Sequence, residues 1–178
     1  ELYLKKSDYP EDIFGFPHPF IRKLVHYMDN SALSRDKIKK FFCISNTVKS
    51  RKEYFPKGVE PVVIHHPSFL KEFKCNEFNY LFTVSRLDGP KRVALMIEAM
   101  QYVNEKVDLI IAGKGPEEAY LKDLAKNNER IKFVGFINDK EVIEYYSNAL
   151  AVLYVPYEED YGLVTIEAMM SRKPVITC

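Results

Sequence analysis

At 178 residues, 47% of them hydrophobic, the chain can bury a full-sized core, which excludes a disordered segment. Lys plus Arg (26) almost balances Asp plus Glu (25), leaving a net charge of +1, so the basic excess expected of a nucleic-acid partner is missing. Cys43, Cys75 and Cys178 are odd in number and widely spaced, outlining neither a disulfide framework nor a zinc site, and no apolar run reaches bilayer length. A reducing cytoplasm is the expected location, with attachment to the inner face of a membrane left open. The charged opening Glu1-Leu2-Tyr3-Leu4-Lys5-Lys6 is not a secretory signal.

Residues 1–40 carry Pro10, Pro17 and Pro19, then a helical pattern toward Met28 and Ile38, and are expected to wrap a first domain. Phe41 to Ile44 and Pro61 to Ile64 read as strands, with a helix from Thr47 to Tyr54 between them capped by Ser45 or Asn46, which makes one βαβ unit. The segment from His65 to Phe73, interrupted by Pro67, reads as a connector. The expected division is a partial first domain over 1–66, a linker over 67–79 and a second domain over 80–178. In that second domain the strand candidates are Tyr80 to Ser85, Val107 to Ala112, Ile131 to Val134, Leu150 to Val155 and Pro174 to Thr177. Val93, Met96, Ile97 and Met100 fall at helical spacing, as do Val142, Ile143 and Tyr146. Apolar strands separated by amphipathic helices predict an α/β fold with a doubly wound parallel sheet. Ligands of such sheets bind beyond the carboxyl ends of the strands. The chain lacks an initial Met and ends on the strand-like run Pro174-Val175-Ile176-Thr177-Cys178, so it reads as a fragment truncated at its C-terminus.

Four motifs follow strand candidates. Ser85-Arg86-Leu87-Asp88-Gly89-Pro90-Lys91-Arg92 places Arg86, a planar fork, and Lys91, a compact charge, around a turn; together they suit a diphosphate. Ala112-Gly113-Lys114-Gly115-Pro116 would let a ligand approach the backbone at Gly113 and Gly115. The peptide groups of Val134-Gly135-Phe136-Ile137 could read a base edge. In Glu159-Asp160-Tyr161-Gly162-Leu163-Val164-Thr165-Ile166-Glu167, a helix starting near Tyr161 puts Glu159 in the loop and Glu167 about two turns later. Free N–H groups of Gly162, Leu163 and Val164 would then attract an anion.

Each motif alone has a plainer reading. Arg86 and Lys91 suit a solvated surface, Gly113 and Gly115 a simple turn, and Phe136 a core position. Glu158-Glu159-Asp160 suits a solvated loop, Met169 and Met170 packing on the sheet, and His65 and His66 a linker. The glycines make no dinucleotide fingerprint, which argues against a Rossmann oxidoreductase.

In that order, Ser85-Arg86-Leu87 with Lys91, Ile111 to Pro116, Val134-Gly135-Phe136 with Tyr145 and Tyr146, and Glu159 to Met169 resemble the nucleotide-binding half of retaining glycosyltransferases of family 4 (group 1), which have the two-domain GT-B fold. The resemblance is strong over 80–178 and extends weakly upstream through Ile44 to Lys49, toward the end of an acceptor-side domain. Asp160-Tyr161 departs from the family's usual Pro-Phe or Gly-Phe but keeps the spacing of the two glutamates. The resemblance implies a hexosyltransferase, as part of a longer chain, that uses a nucleoside diphosphate sugar such as GDP-mannose or a UDP-sugar. A carbohydrate or lipid-linked acceptor would receive the sugar, with no cofactor and no metal. It implies Arg86 and Lys91 on the diphosphate, Glu159 on the transferred sugar and Glu167 on the ribose, with Gly113, Gly115, Val134, Phe136, Ile137, Gly162, Leu163, Val164 and Thr165 lining the nucleotide. A non-catalytic nucleotide-sugar-binding subunit and a GT-B epimerase are the alternatives.

Overall fold

The computed structural model describes residues 19–33 and 37–178, and the chain divides into two compact units, Glu1–His66 and Pro67–Cys178. The expected wrapping of the first domain by residues 1–18 and 34–36 lies outside the described residues.

In the first unit a helix, α1 (Pro19–Ala32), precedes strand β1 (Phe42–Cys43), helix α2 (Asn46–Ser50) and strand β2 (Val62–Val63). β1 and β2 pair in parallel, Phe42 opposite Val62 and Cys43 opposite Val63. Ser45 caps α2, its Oγ accepting from the Val48 N–H at 3.0 Å, which satisfies an otherwise orphan first-turn donor. The helix expected from Thr47 to Tyr54 is shorter. The Ser50 hydroxyl donates to the Thr47 carbonyl at 2.7 Å, the backbone leaves helical geometry at Arg51 (φ −80°, ψ 73°), and Lys52–Tyr54 resumes as a 3-10 turn.

The second unit runs β3 (Tyr80–Val84), α3 (Val93–Ala99), β4 (Asp108–Ala112), α4 (Glu118–Ala125), β5 (Ile131–Gly135), α5 (Asp139–Asn148), β6 (Ala149–Leu153), α6 (Leu163–Met170) and β7 (Val175–Ile176). Its five strands form one parallel sheet in the order β5-β4-β3-β6-β7. The fold is the expected α/β doubly wound sheet, with strand ends within two residues of the predicted ones. The strands are apolar throughout because both faces are covered. Leu109 and Ile111 join Val93, Met96, Ile97 and Leu121 in one core, while Ile110 and Ala112 join Phe82, Tyr146, Val152 and Ala168 in the other. Full burial of a side chain such as Phe82 or Leu109 contributes roughly 1.5–3 kcal/mol. Asn138 starts α5 with a reciprocal cap, its side chain accepting from the Lys140 and Glu141 N–H groups while the Glu141 carboxylate accepts from the Asn138 N–H.

Two core expectations are corrected. Met169 and Met170 do not pack on the sheet; they are 65% and 48% exposed. α6 meets the core through Val164 and Ala168, one turn apart, which rotates the methionines outward. Phe136, read alone as core, is 75% exposed, because Gly135 adopts a left-handed backbone (φ 71°) and redirects the chain after β5.

The chain builds outward from β3 through β4 to β5, then returns to place β6 on the other side of β3. Strand order therefore reverses between β3 and β6, and a crevice at the carboxyl ends of these two strands is where an open sheet binds ligands. The loops after β3 and β4 are fastened together. Ser85 N–H donates to the Ala112 carbonyl at 3.2 Å, Leu87 N–H to Lys114 at 3.0 Å, and Glu117 N–H returns to Leu87 at 3.1 Å. This approach explains Gly113 and Gly115: a Cβ on either would lie 1.8 Å from the Ser85 oxygen or 2.1 Å from the Leu87 oxygen. The space beside both glycines is filled by the protein's own backbone.

Gly115→Ala should lower unfolding free energy by about 3 kcal/mol or more, since a backbone carbonyl must move. Gly135→Ala, with open space around its Cβ and only the left-handed φ to strain, should cost about 1–2 kcal/mol. Urea titration of both variants decides; equal losses would contradict the close-approach account.

Candidate functional site

The β3–α3 loop delivers Lys91. Gly89–Lys91 forms a 3-10 turn with Pro90 near its start, and Arg92 follows in the left-handed region (φ 53°), where a non-glycine residue is strained by about 1–2 kcal/mol. The turn is held from the other side of the switch point, as the Tyr157 N–H donates to the Pro90 carbonyl at 2.7 Å. The β6–α6 loop thus leans on the β3–α3 loop through its backbone before any side chain is considered.

Glu159 sits on that second loop. Its Oε2 accepts from the Lys91 ammonium at 2.7 Å and from the Tyr154 hydroxyl at 2.6 Å, and the same ammonium donates to the Tyr154 oxygen at 3.1 Å. Oε1 faces the Gly162 N–H at 3.3 Å and the Tyr161 N–H at 3.5 Å. Burial works to raise the Glu159 pKa, but the bonds from Lys91 and Tyr154 outweigh it and hold the carboxyl at about 2. Burial would lower the Lys91 pKa, yet its bonds to Glu159 and Tyr154 raise it. The Tyr154 hydroxyl is pushed up to about 12, first by burial and then by its bond to Glu159. At neutral pH the cluster is an ammonium, a carboxylate and a neutral phenol. Only two of the ammonium's three donors are engaged within it.

Glu167 lies inside α6 and is held at both oxygens. Ser68 Oγ donates to Oε1 at 2.7 Å and the Tyr146 hydroxyl to Oε2 at 3.1 Å. Each oxygen keeps a lone pair, so the carboxylate can still accept from a ligand diol. Burial, followed by the charge of Glu167, pushes the Tyr146 hydroxyl strongly upward and keeps it a donor.

The remaining expected residues fall as follows. Arg86 does not join the Lys91 cluster; its Nε pairs with Asp88 Oδ2 at 3.3 Å and its side chain is 71% exposed. The expected anion donors are reduced by one. The helix starts at Leu163, two residues after Tyr161, and the Gly162 N–H is turned toward Glu159. Leu163 and Val164, in the first turn, lack intrahelical acceptors for their N–H groups. Thr165 is part of the helix start, its hydroxyl and N–H both donating to the Gly162 carbonyl at 2.7 and 3.0 Å. Val134 and Ile137 pack against the second core, and Phe136 between them is exposed. Among the described residues no group of three or more His, Cys, Asp or Glu could hold a metal ion, and no helix is long and apolar enough to cross a membrane.

Sequence reasoning missed three side chains that hold the glutamates: Tyr154, Tyr146 and Ser68. Tyr154 was hidden in an apolar strand run, and Tyr146 in a helical stripe. In each case the signal was a phenol where an aliphatic residue would have filled the same space.

Residues 68–178 match the family of glycosyl transferases group 1. The chain belongs to that family. It is a glycosyltransferase family 4 domain, and its fold neighbours have the GT-B fold. It is 33% identical over 98 residues to an uncharacterized glycosyltransferase of Methanocaldococcus jannaschii, covering 52% of this chain and 25% of that one. It is 28% identical over 175 residues to the alpha-monoglucosyldiacylglycerol synthase of Streptococcus pneumoniae, covering 88% and 38%. The Anabaena protein HepE, solved in complex with UDP and glucose, superposes with a TM-score of 0.72 at 18% identity over 99% of this chain and 50% of that one. The chain thus spans well under half the length of these two curated relatives.

The depressed Glu159 pKa fixes a pH dependence for this glycosyltransferase domain. Because the folded value is about 2 against 4.5 for the free group, the contribution is fully present above 4.5 and is lost as pH falls toward 2. The difference in unfolding free energy between wild type and Glu159→Gln should therefore shrink across that window in urea titrations at stepped pH. A difference that stays constant from pH 6 to pH 2 would contradict the pairing.

Proposed function

We propose that this chain carries the donor site of a retaining glycosyltransferase that moves a sugar from a nucleoside diphosphate sugar to an acceptor hydroxyl. The observation that supports it most is the Lys91–Glu159 pair, which joins the loops after β3 and β6 where strand order reverses. The third ammonium donor of Lys91, the Arg86 guanidinium and the first-turn N–H groups of Leu163 and Val164 offer positive potential to a diphosphate. As the nucleoside diphosphate departs, negative charge grows on its distal phosphate, and prepositioned donors lower the barrier by stabilising that charge. Glu159 presents an ionised carboxylate whose Oε1 contacts are long enough to yield to a sugar hydroxyl. Glu167 accepts the ribose hydroxyls, and Val134, Phe136 and Ile137 flank the base, while Gly113 and Gly115 act at one remove by letting the loops after β3 and β4 close on each other.

Retention follows a front-face, ion-pair-like displacement in which the departing phosphate takes the acceptor proton. The two-carboxylate route of retaining hydrolases is disfavoured here, since Glu167 is given to ribose and Glu159 to the sugar. In this reading residues 1–66 are the end of the acceptor-side domain and 67–79 the linker. The match to an alpha-monoglucosyldiacylglycerol synthase supports including lipid acceptors, and peripheral contact with a membrane surface, among the possibilities assayed. UDP and GDP sugars are the donors to test first.

In the intact protein, Lys91→Ala or Arg86→Ala should weaken nucleoside diphosphate binding by about 1.5–3 kcal/mol, the scale of a hydrogen bond to a charged group. Calorimetry showing unchanged affinity for both would remove them from the site. Glu167→Ala should lose nucleotide affinity, whereas Glu159→Gln should bind nucleotide and transfer sugar slowly; full turnover by Glu159→Gln would make its role structural. Transfer should also survive a strong chelator. Activity abolished by chelation and restored by Mg²⁺ or Mn²⁺ would reassign Glu158-Glu159-Asp160 as metal ligands.

A further inference from the structure

The geometry points to Tyr154 as a positioning residue of the transfer site, whose hydroxyl holds the Lys91 ammonium and the Glu159 carboxylate in one fixed arrangement before a donor arrives. The inference rests on the roles proposed for Lys91 and Glu159. Three hydrogen bonds close a ring: Tyr154 O–H to Glu159 Oε2 at 2.6 Å, Lys91 Nζ to the Tyr154 oxygen at 3.1 Å and Lys91 Nζ to Glu159 Oε2 at 2.7 Å. An ammonium and a carboxylate on two different loops could pair in many rotamers, because an exposed ion pair is weakly directional. The phenol removes that freedom. It donates to one partner and accepts from the other, so it is satisfied only when both occupy their places.

The tyrosine itself cannot wander. Tyr154 is 4% exposed and follows β6 directly, and its N–H still donates to the Ile176 carbonyl of β7 at 2.9 Å. The hydroxyl is thus anchored to the sheet, while Lys91 and Glu159 ride on the loops that follow β3 and β6. Catalytic groups need support of this kind, since small misplacements of a reacting constellation are costly in rate. The groups that face Glu159 are Lys91 from the β3–α3 loop, Tyr154 at the end of β6, and the Tyr161 and Gly162 N–H groups of its own loop. Of the two side chains, only Tyr154 holds Glu159 without being assigned a contact with the diphosphate.

The test is Tyr154→Phe in the intact protein, which keeps the buried ring and deletes only the hydroxyl. Three readouts are compared with wild type and with Glu159→Gln: kcat, KM for the nucleotide sugar, and titration of the Glu159 carboxyl carbon by NMR. The expected result is a kcat lowered on the order of tenfold, the scale of one hydrogen bond to a charged group, with KM changed less than twofold. The Glu159 carboxyl should titrate at higher pH, and the acid limb of kcat should move the same way. A purely packing role would leave the carboxyl titration unmoved. An unchanged titration, or a Tyr154→Phe protein with wild-type kcat beside a Glu159→Gln protein that has lost it, overturns the positioning role alone. Full turnover by Glu159→Gln overturns the proposed site and the positioning role together.

Discussion

The return of the chain after β5 to the far side of β3 is the constraint from which the candidate site follows. A parallel sheet built by right-handed crossovers can reverse direction only where two neighbouring strands send their helices to opposite faces. Here those strands are β3 and β6, with α3 and α4 packing on one face and α5 and α6 on the other. Their carboxyl-end loops have no helix between them. The Tyr157 to Pro90 backbone bond and the Lys91–Glu159 pair span that gap, one through the main chain and one through charge.

What the pair contributes depends on its surroundings. Lys91 and Glu159 are each about a quarter exposed (27%), too accessible for a costly buried charge and too enclosed to be fully screened by solvent. Tyr154 supplies a second side-chain bond to each partner and ties both to the sheet. At Glu167 the logic repeats with neutral partners, since Ser68 and Tyr146 orient the carboxylate from opposite oxygens. Each glutamate is therefore held in one direction before any ligand arrives, which would reduce the ordering that binding must accomplish.

Most of the second unit was legible in the sequence because its signals are redundant. A strand such as Leu109 to Ala112 is apolar on both faces, and the stripe Val93, Met96, Ile97, Met100 has one helical solution, so local pattern and global fold agree. The errors cluster where tertiary geometry overrides pattern. Met169 and Met170 look like core until the rotation of α6 is fixed by Val164 and Ala168. Phe136 looks buried until the left-handed turn at Gly135 directs it outward. Gly113 and Gly115 were legible as glycines that something must approach, but not that the approaching group is the loop after β3. Glu159 and Lys91 could be singled out by their place after strands; their contact could not, because 68 residues separate them in sequence. That the Tyr154 and Tyr146 hydroxyls hold the two glutamates was not legible, because a phenol in a core has the same periodicity as a leucine.

A crystal structure of the intact protein with UDP or GDP bound tests the central claim most directly. The diphosphate is expected in the crevice between the ends of β3 and β6, within hydrogen-bond distance of Lys91 and the first turn of α6, with the ribose hydroxyls donating to Glu167. A nucleotide bound elsewhere on the sheet, or one seated in the crevice with Lys91 and Glu167 both turned away from it, would contradict it.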